Sequence, residues 1–132
     1  MHKEQQFTIL VAEDDTLIRI SLYRHLARRG YQVIAVDNGE DASLHLTSGG
    51  IDCAIIDYHL PAIQGYELLL QINKEPSPIP VIVMTGDSSP EVEKMLRHES
   101  PAFYFVKPVN FVDLDAVIDR IRDTRVISQR KF

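Results

Sequence analysis

Five short β-rich runs alternate with five segments of helical spacing from one end of the chain to the other, and this alternation is the strongest restriction on its fold. The runs are FTILVA (7–12), QVIAV (32–36), CAII (53–56), PVIVM (80–84) and FYFV (103–106). Between and after them, spacing predicts helices over about 16–29, 39–47, 65–74, 90–98 and 111–123. Gly30 is placed to stop the first helix and Pro90 to open the fourth. In the first helix Leu17, Ile20, Leu22 and Leu26 are expected to face inward; in the last, Phe111, Leu114, Ile118 and Ile121 fall on one stripe. Several strand runs are apolar at consecutive positions, as central parallel strands covered by helices on both faces require. Repeated βα units of this length imply an α/β, doubly wound parallel sheet with right-handed crossovers. In such sheets ligands bind outside the carboxyl ends of the strands, where strand order reverses.

Size and charge narrow the reading. A chain of 132 residues, 45% hydrophobic and 25% charged, matches one domain around one core. Its formal charge of −5 disfavours general nucleic-acid or anionic-membrane binding. No apolar run approaches the roughly 18 residues of a membrane span, and the polar start MHKEQQ lacks the apolar core of a signal peptide, so a cytoplasmic location is expected. The single Cys53 excludes an internal disulfide and, inside CAII, reads as a small buried filler. His2, His25, His45 and His98 have no metal-like spacing and are expected at the surface.

The strand ends carry the chemistry. The first strand ends at Glu13 and Asp14, the third at Asp57, the fourth at Thr85 and Gly86, and the fifth at Lys107 and Pro108; the second ends at an ordinary turn pair, Asp37 and Asn38. Carboxylates crowded at one rim repel and need a compensating cation. Lys107 offers one positive charge, and a hard divalent ion would supply the rest. Mg²⁺ suits one or two carboxylates completed by water and substrate phosphate. Together these are the parts for phosphoryl transfer, with Asp57 attacking in line and Thr85, Lys107 and Mg²⁺ stabilising the equatorial oxygens. Asp15, next to the acidic pair, is expected to cap the first helix.

These residues resemble the receiver domain of two-component response regulators. ILVAEDD resembles the family's first strand and acidic pair, DCAIIDYHLPAIQG its phosphoacceptor strand with the D-x-x-[LM]-P-x-x-x-G continuation, VIVMTGD its switch threonine, and FYFVKP its Lys-Pro strand end. The resemblance implies a flavodoxin-like (βα)5 three-layer sandwich of strand order 2-1-3-4-5, with the receiver domain over 1–124 and a tail or linker start over 125–132. It implies that Glu13, Asp14, Asp57 and the main-chain carbonyl of His59 hold Mg²⁺, for which Mn²⁺ can substitute. Asp57 becomes the phosphoacceptor, Thr85 and Lys107 its partners, and Tyr104 the rotating switch aromatic. Gly86 leaves room beside the acceptor, Pro108 supplies a cis peptide that aims Lys107, and His59 and Asp87 modulate loss of the phosphoryl group.

The partner implied is a histidine kinase or histidine phosphotransfer protein, followed by an output domain in the same chain or a target protein met by the fourth helix, fifth strand and fifth helix. Homodimerisation on phosphorylation is compatible; direct nucleic-acid or membrane binding is not implied. Such a chain is a phosphoacceptor signalling domain and not an enzyme, although it assists its own phosphorylation and dephosphorylation. Two segments depart from the family pattern: ESPAFYF before and in the fifth strand, and GEDASLHL, which predicts an irregular second helix. The alternatives are a receiver-like interaction module that is never phosphorylated, and an aspartyl-nucleophile phosphatase of the haloacid-dehalogenase type. The latter expects a second Asp where His59 stands. Neither G-x-x-x-x-G-K-[ST] nor G-x-G-x-x-G is present, which removes the common nucleotide readings.

Overall fold

Thr8–Ala12 (β1), Gln32–Val36 (β2), Cys53–Asp57 (β3), Val81–Thr85 (β4) and Phe103–Val106 (β5) pair in parallel in the order β2-β1-β3-β4-β5. The computed structural model describes residues 6–87 and 89–130, so His2 lies outside the described residues. The helices are Thr16–Arg28 (α1), Gly39–Ser48 (α2), Gly65–Asn73 (α3), Pro90–Glu99 (α4) and Phe111–Arg130 (α5). This is the doubly wound α/β sandwich that the alternation predicts. Order reverses between β1 and β3, and their register sets Ala12 opposite Ile56, so the residues that follow, Glu13 and Asp57, leave the sheet side by side.

Two apolar layers explain why the central strands do not alternate in polarity. Ile9, Val11, Cys53, Ile55, Ile82 and Met84 face the layer that contains Leu22 and Leu26 of α1 and Leu114 and Ile118 of α5. Leu10, Ala12, Ala54, Ile56, Val81 and Val83 face the layer that contains Ala42, Leu68, Leu69, Val92 and Leu96. Successive side chains point to opposite faces, and both faces are covered. The edge strands β2 and β5 are only partly covered.

Helix ends follow local chemistry. Asp15 accepts the Ile18 N–H at 3.0 Å and caps α1. At the other end Gly30 adopts φ +93°, and the Gly30 and Tyr31 N–H groups donate to Ala27 and Leu26 carbonyls at 3.0 and 3.3 Å. Three expectations are corrected. Leu17 and Ile20 do not face inward: they are 77% and 39% exposed, and α1 buries Leu22 and Leu26, with Ile18 half-buried one turn earlier. Residues 18, 22 and 26 keep one helical face, whereas 17 and 20 lie on the other. The second helix is a continuous α-helix, opened by Asn38, whose side chain accepts the Asp41 N–H at 2.8 Å. The fifth helix runs through Arg130, well beyond the expected stop near Asp123.

Candidate functional site

The site begins with β1 overrunning its last paired residue. The Glu13 N–H donates to the Val36 carbonyl at 3.0 Å, which carries Glu13 into the sheet and leaves it with no exposed surface. Its Oε2 accepts the Asp15 N–H at 3.0 Å. Its buried Oε1 lies 2.8 Å from the Lys107 ammonium, within ion-pair distance. Asp14, the next residue, is exposed at the rim. Asp57 ends β3 at 5% exposure; its Oδ1 accepts the His59 N–H at 3.1 Å and its Oδ2 accepts from Lys107 Nζ at 2.6 Å. One ammonium therefore bridges Glu13 and Asp57, and the carboxylates of Glu13, Asp14 and Asp57 place ligand oxygens within 4.8 Å of one another.

Electrostatics follow from that crowding. Burial raises the Glu13 carboxyl above its ordinary value more than Lys107 and the Asp15 N–H lower it, and the Asp57 charge adds to the rise. For Lys107 burial works against the ammonium, but the contacts with Asp57 and Glu13 outweigh it and hold its pKa above the usual lysine value. Two of the three clustered carboxylates, Glu13 and Asp57, share the Lys107 ammonium, and among the described residues Asp14 has no ion pair. A cluster of hard oxygen donors in this condition fits a small divalent cation such as Mg²⁺.

Thr85, 1% exposed at the end of β4, turns its hydroxyl to its own loop: Oγ1 donates to the Asp87 carbonyl at 3.0 Å and accepts the Asp87 N–H at 2.9 Å. The Lys107 N–H donates to the Thr85 carbonyl at 2.8 Å, tying β5 to β4 at the site, and the Lys107–Pro108 peptide is cis. His59 and Asp87 stand on opposite loops with ring nitrogen and carboxylate 3.9 Å apart. Tyr104, 36% exposed, lines a cavity of about 40 Å³ together with Thr85, Asp87, Val92, Leu96 and Val106.

Two further residues shape the site without having been singled out by sequence. Arg19 of α1 donates from Nη1 to the Glu13 and Asp14 carbonyls at 3.1 and 3.4 Å. Its only sequence signal is its place just over one turn into the helix that follows the acidic pair. Gly39 is forced by contact: a Cβ there would sit 1.8 Å from the Ile63 carbonyl oxygen, and its N–H donates to the Pro61 carbonyl at 3.0 Å. Gly65 is forced in the same way, with a Cβ 1.8 Å from the Asp57 carbonyl oxygen. These two close approaches hold the β3–α3 loop, and hence Asp57, against α2 and α3.

The chain is similar to known proteins in sequence and in fold. The sequence model of the response regulator receiver domain matches residues 9–119. Two-component response regulator PhoP of Pseudomonas aeruginosa is 30% identical over 115 residues, which are 86% of this chain and 50% of PhoP. Two-component response regulator ORR12 of Oryza sativa subsp. japonica is 29% identical, over 86% of this chain and 96% of ORR12. Response regulator protein TrrA of Thermotoga maritima, solved in complex with Mg²⁺-BeF, superimposes with a TM-score of 0.78 at 29% identity, over 88% of this chain and 99% of TrrA. The chain thus spans half the length of PhoP and nearly all of ORR12. No helix among the described residues is long and apolar enough to cross a membrane. With the family match running from β1 into α5, over the strand ends that carry Glu13, Asp57, Thr85 and Lys107, the chain belongs to the response regulator receiver domain family.

Proposed function

We propose that Asp57 is the phosphoacceptor of a two-component phosphorelay and takes a phosphoryl group from a histidine kinase or histidine phosphotransfer protein in a Mg²⁺-dependent reaction. The observation that carries this reading is the near-buried Asp57 carboxylate, which shares one lysine with buried Glu13 inside a three-carboxylate cluster. Glu13, Asp14 and Asp57 would hold the cation, with the His59 main-chain carbonyl as a further ligand; Mn²⁺, also suited to carboxylate oxygen, is a substitute. When bound, the cation supplies positive charge to the phosphoryl oxygens. An Asp57 oxygen attacks phosphorus in line as the nitrogen–phosphorus bond of the donor phosphohistidine breaks, and the donor ring, protonated at its other nitrogen, leaves as neutral imidazole. Lys107, already 2.6 Å from Asp57, shifts onto a phosphoryl oxygen, and the Thr85 hydroxyl exchanges its Asp87 contacts for another.

That exchange is the switch. Release of Thr85 from the Asp87 main chain opens the adjoining cavity to the Tyr104 ring, and the face formed by α4, β5 and α5 changes its preference for partners. Phe103, Tyr104 and Val106 already expose apolar surface there, to be met by an output domain, a target protein or a second copy. His59 and Asp87, facing each other across the mouth, govern how readily water reaches the acyl phosphate. The same domain thereby assists both gain and loss of the group without turning over a separate substrate.

The test is labelling by a small phosphodonor such as acetyl phosphate in the presence of Mg²⁺, read by intact-protein mass. The native chain gains one phosphoryl group and Asp57→Asn gains none. Labelling that survives the substitution defeats the assignment, and a native chain that binds no Mg²⁺ and takes no label favours an unphosphorylated interaction module.

A further inference from the structure

Arg19 is the cation nearest the acidic run that does not neutralise it. Its guanidinium stands beside the backbone of Glu13 and Asp14, yet among the described residues it makes no ion pair; Nη1 instead donates to the Glu13 and Asp14 carbonyls. Its own N–H donates to the Asp15 carbonyl at 2.9 Å, so one residue of α1 is tied to three consecutive carbonyls. The other cation of the region, Lys107, does the opposite and pairs directly with carboxylates.

The consequence differs for the two acids. The Glu13 carboxylate is held from within by the Asp15 N–H and by Lys107. Among the described residues the exposed Asp14 carboxylate makes no hydrogen bond, so only its backbone aims it at the 4.8 Å cluster. A peptide free to rotate would let that carboxylate swing into solvent, and a cation would have to order it on binding. We propose that Arg19 is a positioning residue: it clamps the peptides of Glu13 and Asp14 so that the Asp14 carboxylate is preorganised for a divalent cation. The clamp is a shell of hydrogen bonds behind the ligands, the usual means by which ligand direction is fixed.

A bare charge would act in the other direction. Simple repulsion between guanidinium and cation means that deleting Arg19 tightens binding; a clamp means that deletion weakens it. This inference rests on the Mg²⁺ reading of the site, and the experiment separates the two. Mg²⁺ binding to the whole chain is measured by isothermal titration calorimetry for the native protein, Arg19→Ala and Arg19→Lys, and thermal midpoints are measured without metal. The native chain is expected to bind Mg²⁺, Arg19→Ala to bind about ten-fold more weakly with an unchanged metal-free midpoint, and Arg19→Lys, which keeps a donor, to fall between them. A native chain that binds no Mg²⁺ removes the metal reading and this one with it. Native binding with equal or tighter binding by Arg19→Ala overturns the clamp alone. So does a metal-free midpoint that falls together with affinity, which would make Arg19 a prop of the fold.

Discussion

Three glycines near Asp57 show how differently one residue type can be required. Gly39 and Gly65 are dictated by backbone atoms 1.8 Å from where a Cβ would be. At Gly86 nothing lies within 4 Å of a Cβ, so packing does not ask for glycine there. The reason we propose is access, since Gly86 directly follows Thr85 at the exposed rim beside the proposed acceptor. Gly86→Leu should therefore leave the thermal midpoint unchanged. It should slow transfer from a phosphohistidine protein by roughly ten-fold, a barrier change of about 1.4 kcal/mol, while labelling by acetyl phosphate changes little. Equal slowing with both donors would contradict an access role. At this scale the sequence was legible where a residue type carries chemistry: Glu13, Asp57 and Lys107 meet within hydrogen-bond or ion-pair distance, and Asp15 caps α1. It was not legible where the requirement is a distance. Gly39 and Ile63 are far apart in the chain, and nothing in either residue announces that their backbones touch.

Helix ends and faces divide in the same way. Gly30, Asn38 and Pro90 mark boundaries by local preference, and the helices start or stop there. Hydrophobicity alone places Leu17 and Ile20 inside, but their angular position sets them on the outer side of α1. The outer stretch of α5 had no marker at all, since its continuation to Arg130 carries no apolar stripe comparable to Leu114, Ile118 and Ile121. Between α1 and α5 runs a polar seam that periodicity cannot predict. His25 contacts Asp115 at 2.8 Å, Arg29 reaches Asp115 and Asp119 at 3.1 and 3.3 Å, and the Tyr31 hydroxyl donates to Asp119 at 3.2 Å. Burial pushes the Asp119 carboxyl up, but the bonds from Arg29 and Tyr31 and the charges of Arg29 and Arg122 outweigh it, and its pKa stands below the usual value. A depressed folded pKa contributes stability above the unfolded value and loses it as pH falls through the folded one. Asp119→Asn should cost on the order of 0.5 kcal/mol near neutral pH, because the pair is partly exposed. The difference from the native chain should shrink on acidification in denaturant melts; a constant difference would assign the loss to packing.

Across the whole molecule, the order β2-β1-β3-β4-β5 is what turns separate sequence motifs into one site. Reversal of order at β1 and β3 brings Glu13 and Asp57 together, and β4 and β5 then add Thr85 and Lys107 along the same edge. Alternation of runs predicts parallel strands and strand-end chemistry, but the neighbour of each strand came from resemblance, because consecutive apolar residues do not say which strand lies beside which. Burial is uneven across the sheet. Strands β3 and β4 are buried throughout and β1 from Ile9 onward, with Cys53 so enclosed that its thiol is pushed up to about 12, whereas β5 leaves Phe103, Tyr104 and Val106 exposed. A buried centre thus carries the proposed acceptor, and a partly covered edge carries the surface expected to respond. We propose that Asp57 receives the phosphoryl group with a divalent cation beside it. The most direct measurement of this is peptide mapping after borohydride trapping of the acyl phosphate formed from acetyl phosphate, with Mg²⁺ and with chelator. Modification is expected at Asp57 alone, present with Mg²⁺ and lost with chelator; modification at another residue, or equal modification at Asp57 without a divalent cation, would overturn the assignment.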